Sequence, residues 1–456
     1  MPTITKNTLL TKENFIRILE NNGQPLANEN IQNTSQQAIQ KHSLPNRKME
    51  DWRKTSLKKL LEHHFQYGKK LEIQRHFIER FNISGMYSNL LVFVNGYFIP
   101  TLSRILDKND IVVFSNLAEA KKLFSSKFNE YFNRTQSHEV NLFSALNTRY
   151  ASDGAFIWIK ENVKVQYPIH IYFFSEGQNQ KIISQTRNLI IAGKGSKASI
   201  LFSYHPLSTD FMYNNTVSEI FVEHNAYLDF NIFQGEGYDS FHTNLVKVEL
   251  ENQAQFYSHT ITLCGKIMRN DIHVKFNGTD AYAELNGLTM PEHDQIHDNT
   301  LFIHHKSGGS ISRQFYRNIV ENNARSVFYG KILIDKGAKQ SQAYQLNNNI
   351  LLSSSAKVHS KPHLIIYNDD VAASHGSTTG QLDTEALFYM QTRGISKKKA
   401  QTLLLQAFAN EVLNKIQIEI YKFYVKTLVR KRLQGEKVEM LCAKLGQCRL
   451  EPEFEA

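Results

Sequence analysis

Five short β-rich runs, each tied to a small residue, recur through the middle of the chain at a nearly constant interval. They are Ala198-Ser199-Ile200-Leu201, Ala226-Tyr227-Leu228-Asp229-Phe230, Ala254-Gln255-Phe256-Tyr257, Ala281-Tyr282-Ala283-Glu284-Leu285 and Ser310-Ile311-Ser312. Their small residues stand 28, 28, 27 and 29 positions apart. Further runs open at Ala324, Ala338 and Ala356, more closely spaced. Each run is too short to bury its own apolar face, and polar turns separate the runs, so each must complete its core against the next. Coils stacked along one axis meet that requirement: side chains from successive coils pile into one core, and small residues fit the corners. An antiparallel sandwich is the alternative, and a propeller would need longer, more uniform four-stranded blades. The expected class is mainly β with flanking α, a parallel β-helix core between helical N- and C-terminal regions.

The flanks have a different texture. Residues 1 to about 80 read as helical, with Leu9, Leu10, Phe15, Ile16, Ile18 and Leu19 at near-helical spacing and Asn-rich breaks around 21–34. Trp52, just after Pro45, is expected to pin this segment to the body. Strand-like runs appear at Leu91–Phe98, Ala155–Ile159 and Pro168–Phe174. Beyond about 385, Ser396 is placed to cap a helix carrying Ala400, Leu403, Leu404, Ala407, Phe408 and Leu413, and a second helix is expected over about 416–433. The expected division is a mostly helical region over 1–135, the β-helix over 136–388 and a helical domain over 389–456. The last twenty residues are polar and are expected to fray.

Composition excludes several classes. With 456 residues, 41% hydrophobic and 21% charged, the chain can bury a large core. No apolar run approaches the roughly 18–20 residues that cross a bilayer, and the N-terminus lacks an apolar signal region, so no membrane span and a cytoplasmic location are expected. The three cysteines, Cys264, Cys442 and Cys448, are too few for a disulfide framework and suit a reducing compartment. The net charge of +10 is spread out, apart from Lys397-Lys398-Lys399 and the group Lys426, Arg430, Lys431 and Arg432. Both groups fall on expected helices, as a solvated face or a docking patch. No RNA-binding aromatic motif or zinc-finger spacing points to nucleic acid.

Chemistry concentrates at the end of the strand region. Asp369-Asp370-Val371-Ala372-Ala373-Ser374-His375-Gly376-Ser377-Thr378 packs acidic, imidazole and hydroxyl groups into ten residues. Imidazole binds iron, zinc or copper, or moves a proton near neutral pH. The chain has 18 histidines, and His293-Asp294, His297-Asp298 and His304-His305 are dense enough to consider as ligands, although neighbours on a strand point in opposite directions. There is no nucleophile elbow, Walker A loop, dinucleotide fingerprint or His-Glu-x-x-His.

The run from Asp298 to about Ala409 closely resembles the SufB/SufD family of iron–sulfur cluster assembly proteins. The segments that carry this are Thr300-Leu301-Phe302-Ile303-His304-His305, Ser312-Arg313-Gln314, Val327-Phe328-Tyr329-Gly330 and Gln345-Leu346-Asn347-Asn348-Asn349, then Lys361 through Asp370, Ser374-His375-Gly376-Ser377, Leu387-Phe388-Tyr389 and Arg393-Gly394-Ile395. Pro45, Arg47, Glu50 and Trp52-Arg53 extend it, and the middle third matches mainly in texture. Within the family the pattern is closer to SufD. A SufB scaffold uses a β-helix cysteine as sulfur acceptor, whereas Cys264 lies outside the matching segments.

The resemblance implies a right-handed parallel β-helix with helical flanks. It implies a non-catalytic subunit of the SufBCD complex, pairing with SufB through the ends of the two β-helices and receiving the SufC ATPase on its C-terminal helices. Arg393, Gly394 and Phe408 are the docking residues so implied. His375 falls on the histidine placed at the cluster-assembly interface, as a transient metal ligand, with Asp369, Asp370 and Ser374 beside it. The two aspartates are ligand helpers or a turn-capping pair. No cofactor is expected on the chain alone; iron or an iron–sulfur cluster would be transient, and reduced flavin would enter with the complex. Many relatives carry a cysteine where this chain has Ala373, which shifts the expected donors toward histidine and carboxylate. Without SufB, the exposed end is expected to be able to close on a second copy. The alternatives are a SufB-like scaffold accepting sulfur directly, a carbohydrate-active β-helix enzyme, and a member that only props up its partners.

Overall fold

The recurrent runs are the strands of a parallel β-helix. The computed structural model describes residues 9–20, 25–107 and 111–436. Each full coil contributes one strand to each of two sheets, and each sheet has ten strands among the described residues. In the second sheet Tyr227 lies against Lys197, Gln255 against Tyr227, Tyr282 against Gln255, Ile311 against Tyr282 and Gln342 against Ile311, all in parallel register. Antiparallel pairing is confined, among the described residues, to the first end of the rod, where Val112–Asn116 meets Ala155–Ile159 and Asn89–Val94 meets Tyr97–Phe98.

The corners explain the spacing of the small residues. Asn225, Gln253, Asp280 and Gln340 take φ of 53°, 57°, 56° and 57°, the left-handed region that reverses a chain tightly. The next residues, Ala226, Ala254, Ala281 and Ser341, are buried at the corner, where a larger side chain would strike the neighbouring coil. The closer spacing after Ser310 has a simple cause. Ala324 and Ala356 precede Arg325–Ile334 and Lys357–Ile366 of the first sheet, whereas Ala338 precedes Ser341–Leu351 of the second. The interval thus follows one sheet over the first five runs and both sheets afterwards.

Stacking in register lines up like side chains inside the rod. Ile190, Ile220, Val248, Val274, Ile303, Ile332 and Leu364 form one continuous inward file. Burial of each such side chain contributes about 1.5–3 kcal/mol. A polar file runs beside it. Asn244 donates to Asn270 at 3.1 Å and Asn270 to Asn299 at 3.4 Å, so these buried amides stay hydrogen-bonded.

The flanking helices each cover an outer face. At the N-terminal side, Phe15, Trp52 and Phe143 pack on Tyr213 and Phe241 of the first sheet. The Arg269 guanidinium lies 4.0 Å from the Trp52 ring centre and donates to the Asp51 carbonyl at 2.7 Å, which fixes the segment as the Pro45-to-Trp52 pattern predicts. At the C-terminal side, helices Lys397–Leu413 and Glu419–Leu433 set Leu405, Ala409, Tyr421, Tyr424 and Leu428 against Phe233, Ile261, Leu288 and Ile319 of the second sheet. Ser396 caps the first of these helices by accepting from the Lys399 amide at 3.4 Å. The second starts at Glu419 because Ile416 and Ile418 are used as buried linker residues. Cys442 and Cys448 lie outside the described residues, and among those described no helix is long and apolar enough to cross a membrane. Replacing Ala254 with Leu should destabilise the rod by about 1–3 kcal/mol through overpacking at a corner, read as a lower denaturation midpoint; an unchanged midpoint would mean the corner has room.

Candidate functional site

Among the described residues, the rod ends in two strands that lack a neighbour on one side. Lys357–Ile366 and Val371–Gly380 are the terminal strands of the first and second sheets. Neither contains a fully buried residue, whereas Ser341–Leu351, one coil below in the second sheet, buries every second residue from Ser341 to Asn349. A terminal strand in parallel register offers its free backbone N–H and C=O groups to any extended chain that approaches. Exposed Ile366 and Tyr367 stand beside this edge.

Alternation along Val371–Gly380 decides which side chains face the lumen. Val371 and Ala373 pack on the rod core, so His375, Ser377 and Thr379 share the inward line while Ser374 and Thr378 face outward. His375 is nevertheless exposed, because among the described residues no further coil closes over it. Its register partner below is Gln345, whose own partner is Gln314. Gln345 Nε2 donates to Gln314 Oε1 at 2.7 Å. Next to this file, Asn347 Nδ2 donates to Ser360 Oγ at 2.9 Å, and the Ser360 and Ser377 hydroxyls are also 2.9 Å apart. The end of the lumen is therefore ringed by an imidazole, hydroxyls and amides.

The other residues singled out in the sequence are dispersed. Asp369 and Asp370 are exposed in the bend between the terminal strands, where the Asp370 amide donates to Asn368 Oδ1 at 2.9 Å. At about 3.3 Å per strand residue, Asp370 is roughly 16 Å from His375. Ser374 adjoins His375 in sequence but faces away from the lumen. His297 is buried against the Gly265 carbonyl at 3.2 Å, and Asp298 on the opposite face pairs with Arg269 at 2.8 Å. Asp294 pairs instead with Lys266 at 2.6 Å and with Lys59. Burial lowers the His297 and His305 imidazoles to about 3, which keeps them neutral. Among the described residues no three His, Cys, Asp or Glu side chains converge as a metal site.

Gln314, Gln345, Ser360 and Ser377 are the residues at this end that the sequence reading did not single out as a site. The signal was present, since Gln314, Gln345 and His375 lie one coil apart, but coil length must be known before they can be aligned.

A second exposed surface follows directly. Helix Thr384–Thr392 has no buried residue and carries Phe388 and Tyr389 at 68% and 59% exposure. Arg393 lies over the Tyr389 ring at 5.2 Å and donates to its hydroxyl at 3.2 Å. Gly394, at φ 83°, closes the helix and turns the chain toward Ser396. Phe408 is elsewhere: it is half-buried on the next helix, Lys397–Leu413, with the Arg317 guanidinium 4.2 Å from its ring centre. Lys397, Lys398 and Lys399 occupy the first turn of that helix with no acidic residue among them. Cations there oppose the helix dipole.

Comparison with known proteins agrees with this architecture. Residues 173–408 match the family described as SUF system FeS cluster assembly, SufBD core domain, and residues 11–171 match the SufBD protein N-terminal region. The chain is 31% identical over 388 residues to an iron–sulfur cluster assembly SufBD family protein of Synechocystis, covering 82% of this chain and 84% of that one. It is 26% identical over 402 residues to the iron–sulfur cluster assembly protein SufD of Escherichia coli, covering 88% and 92%. It is 23% identical over 341 residues to SufD of Bacillus subtilis, covering 72% and 75%. The chain belongs to the SufBD family of iron–sulfur cluster assembly proteins. As a test of the basic helix start, Lys397→Glu should stabilise the isolated chain by about 0.3–1 kcal/mol in thermal melts; destabilisation would mean that the lysine holds a structural contact.

Proposed function

We propose that the chain is the SufD-type subunit of a SufB–SufC–SufD complex and has no catalytic turnover of its own. The observation that carries this reading is His375, exposed and inward-facing on the terminal rung of an open rod. In this reading SufB lays its own β-helix end against strands Lys357–Ile366 and Val371–Gly380, which closes the lumen and completes the ligand set around His375. Iron, or a nascent cluster, is the cargo held there. A single neutral imidazole suits a transient hold, because it binds iron without adding charge to the site. Reduced flavin, where the chemistry requires electrons, arrives with the assembled complex.

The SufC ATPase is assigned to Phe388, Tyr389, Arg393 and the three lysines. Two exposed aromatics and an arginine on a helix with no buried face are the residue types that dominate binding energy at interfaces. Phe408 lies apart from this surface, held on helix Lys397–Leu413 against Arg317.

Cys264 separates this reading from that of a sulfur-accepting scaffold. It is fully buried under the C-terminal helices, with Gln295 Nε2 at 3.8 Å from its sulfur, and three strands of its sheet lie between it and the terminal one. A thiol in that position is closed to a sulfur donor. The end-on location of the distinctive residues likewise disfavours a polysaccharide groove along the rod.

The test is reconstitution of the full chain with SufB and SufC. His375→Ala should leave the complex assembled but lower its iron and sulfide content severalfold. The pair Phe388→Ser and Tyr389→Ser should instead release SufC, weakening its binding by about tenfold or more. Undiminished iron and sulfide with His375→Ala would remove the imidazole from the mechanism.

A further inference from the structure

His375 stands one strand above a buried carbonyl oxygen that has nothing to bind. Gln345 is 3% exposed, and its Oε1 has no hydrogen-bond partner among the described residues. Its other amide atom is committed, since Nε2 donates down the file to Gln314 Oε1 at 2.7 Å. Gly330 leaves room for the amide in that place, since a Cβ there would sit 1.9 Å from Gln345 Nε2. The Gln345–Gln314 bond also shows that side chains in this file reach across the roughly 4.8 Å between adjacent parallel strands. The next side chain in the file above Gln345 is His375.

We propose that Gln345 is a positioning residue that selects the tautomer of His375. The two groups are not hydrogen-bonded in the structure; rotation of the exposed His375 ring onto Gln345 would let Oε1 accept the N–H of one ring nitrogen and leave the other deprotonated, with its lone pair free for a metal at the closing interface. This rests on the reading of His375 as the interface ligand and deepens it. The physical basis is general. A neutral imidazole binds a metal through its unprotonated nitrogen, and the hydrogen bond made by the second nitrogen decides which one that is. The choice of an amide has a consequence. A carboxylate in the same place would raise the basicity of the ring and tighten its hold, whereas an uncharged carbonyl orients the ring and leaves it a weak ligand. That matches cargo that must be passed on. The neighbouring Asn347, Ser360 and Ser377 are bonded to one another, so that line is already engaged.

The experiment uses the full chain alone, without metal and labelled with ¹⁵N-histidine. Two-bond ¹⁵N–¹H correlation spectra are recorded at about pH 9, where an ordinary imidazole with a pKa near 6.5 is neutral. The His375 signals are identified by their loss in His375→Asn. Wild type should show one dominant tautomer. Gln345→Met, which keeps the length of the side chain and removes the acceptor, should return His375 to the mixed shifts of an exposed histidine. Gln345→Glu, which restores an acceptor, should recover the single tautomer. Mixed shifts in wild type would overturn the proposal even if the methionine variant fails to fold, and so would a single tautomer that persists in the methionine variant. These spectra do not depend on cluster assembly. Their failure would leave the role of His375 standing, and a null result for His375→Ala in reconstitution would leave the Gln345 geometry standing.

Discussion

In-register parallel hydrogen bonding between coils is the interaction on which everything else in this molecule depends. It satisfies the backbone of each strand through the strands above and below, so the sheets grow without turning back. It also repeats each side chain over its counterpart, and from that come the aliphatic file from Ile190 to Leu364 and the amide file of Asn244, Asn270 and Asn299. The same rule cannot be satisfied at the last coil. Strands Lys357–Ile366 and Val371–Gly380 carry bonds on one side only. At the first end the terminal strands Val112–Asn116 and Tyr97–Phe98 run antiparallel to their neighbours, and helices pack on the outer face close by, with Phe156, Leu189, Ile191 and Phe221 buried against Leu117, Phe128 and Phe132. Among the described residues the second end has no antiparallel strand.

What could be read from the sequence follows from what repeats. The small corner residues are tied to a left-handed turn that each coil needs, so Ala226, Ala254 and Ala281 showed the period directly. Trp52 and Ser396 were legible because a large aromatic after a proline and a serine before an apolar helix each have one common use. The facing of the site residues was not legible. Ser374 and His375 adjoin in sequence, but strand alternation sends them to opposite sides of the wall. Asp369 and Asp370 are close to His375 in sequence, yet the rise along a strand carries them well away. Phe408 and Phe388 are both aromatic residues in the helical tail, and only tertiary packing against Arg317 tells the enclosed one from the exposed one.

Open edge and exposed helix lie close together in the chain, and this makes sense of the proposed role. Only the bend from Gln381 to Asp383 separates the terminal strand of the second sheet from the helix bearing Phe388 and Tyr389. A partner that moves this helix would pull on the last rung, whereas the coils below are locked by two neighbours each. In the proposed function, force from an ATPase would thus be delivered where a ligand set shared between two chains is easiest to open, and an imidazole oriented by an uncharged amide would let cargo leave when that happens.

Backbone hydrogen exchange on the full chain, measured with and without SufB, tests the central claim most directly. Strong new protection on SufB binding should be concentrated in 357–366 and 371–380, which have no strand partner on their outer side among the described residues, with little change in the coils below. Stable SufB binding that leaves both segments exchanging as fast as before, with protection elsewhere on the rod, would contradict the assignment of this open end as the place where the two chains meet.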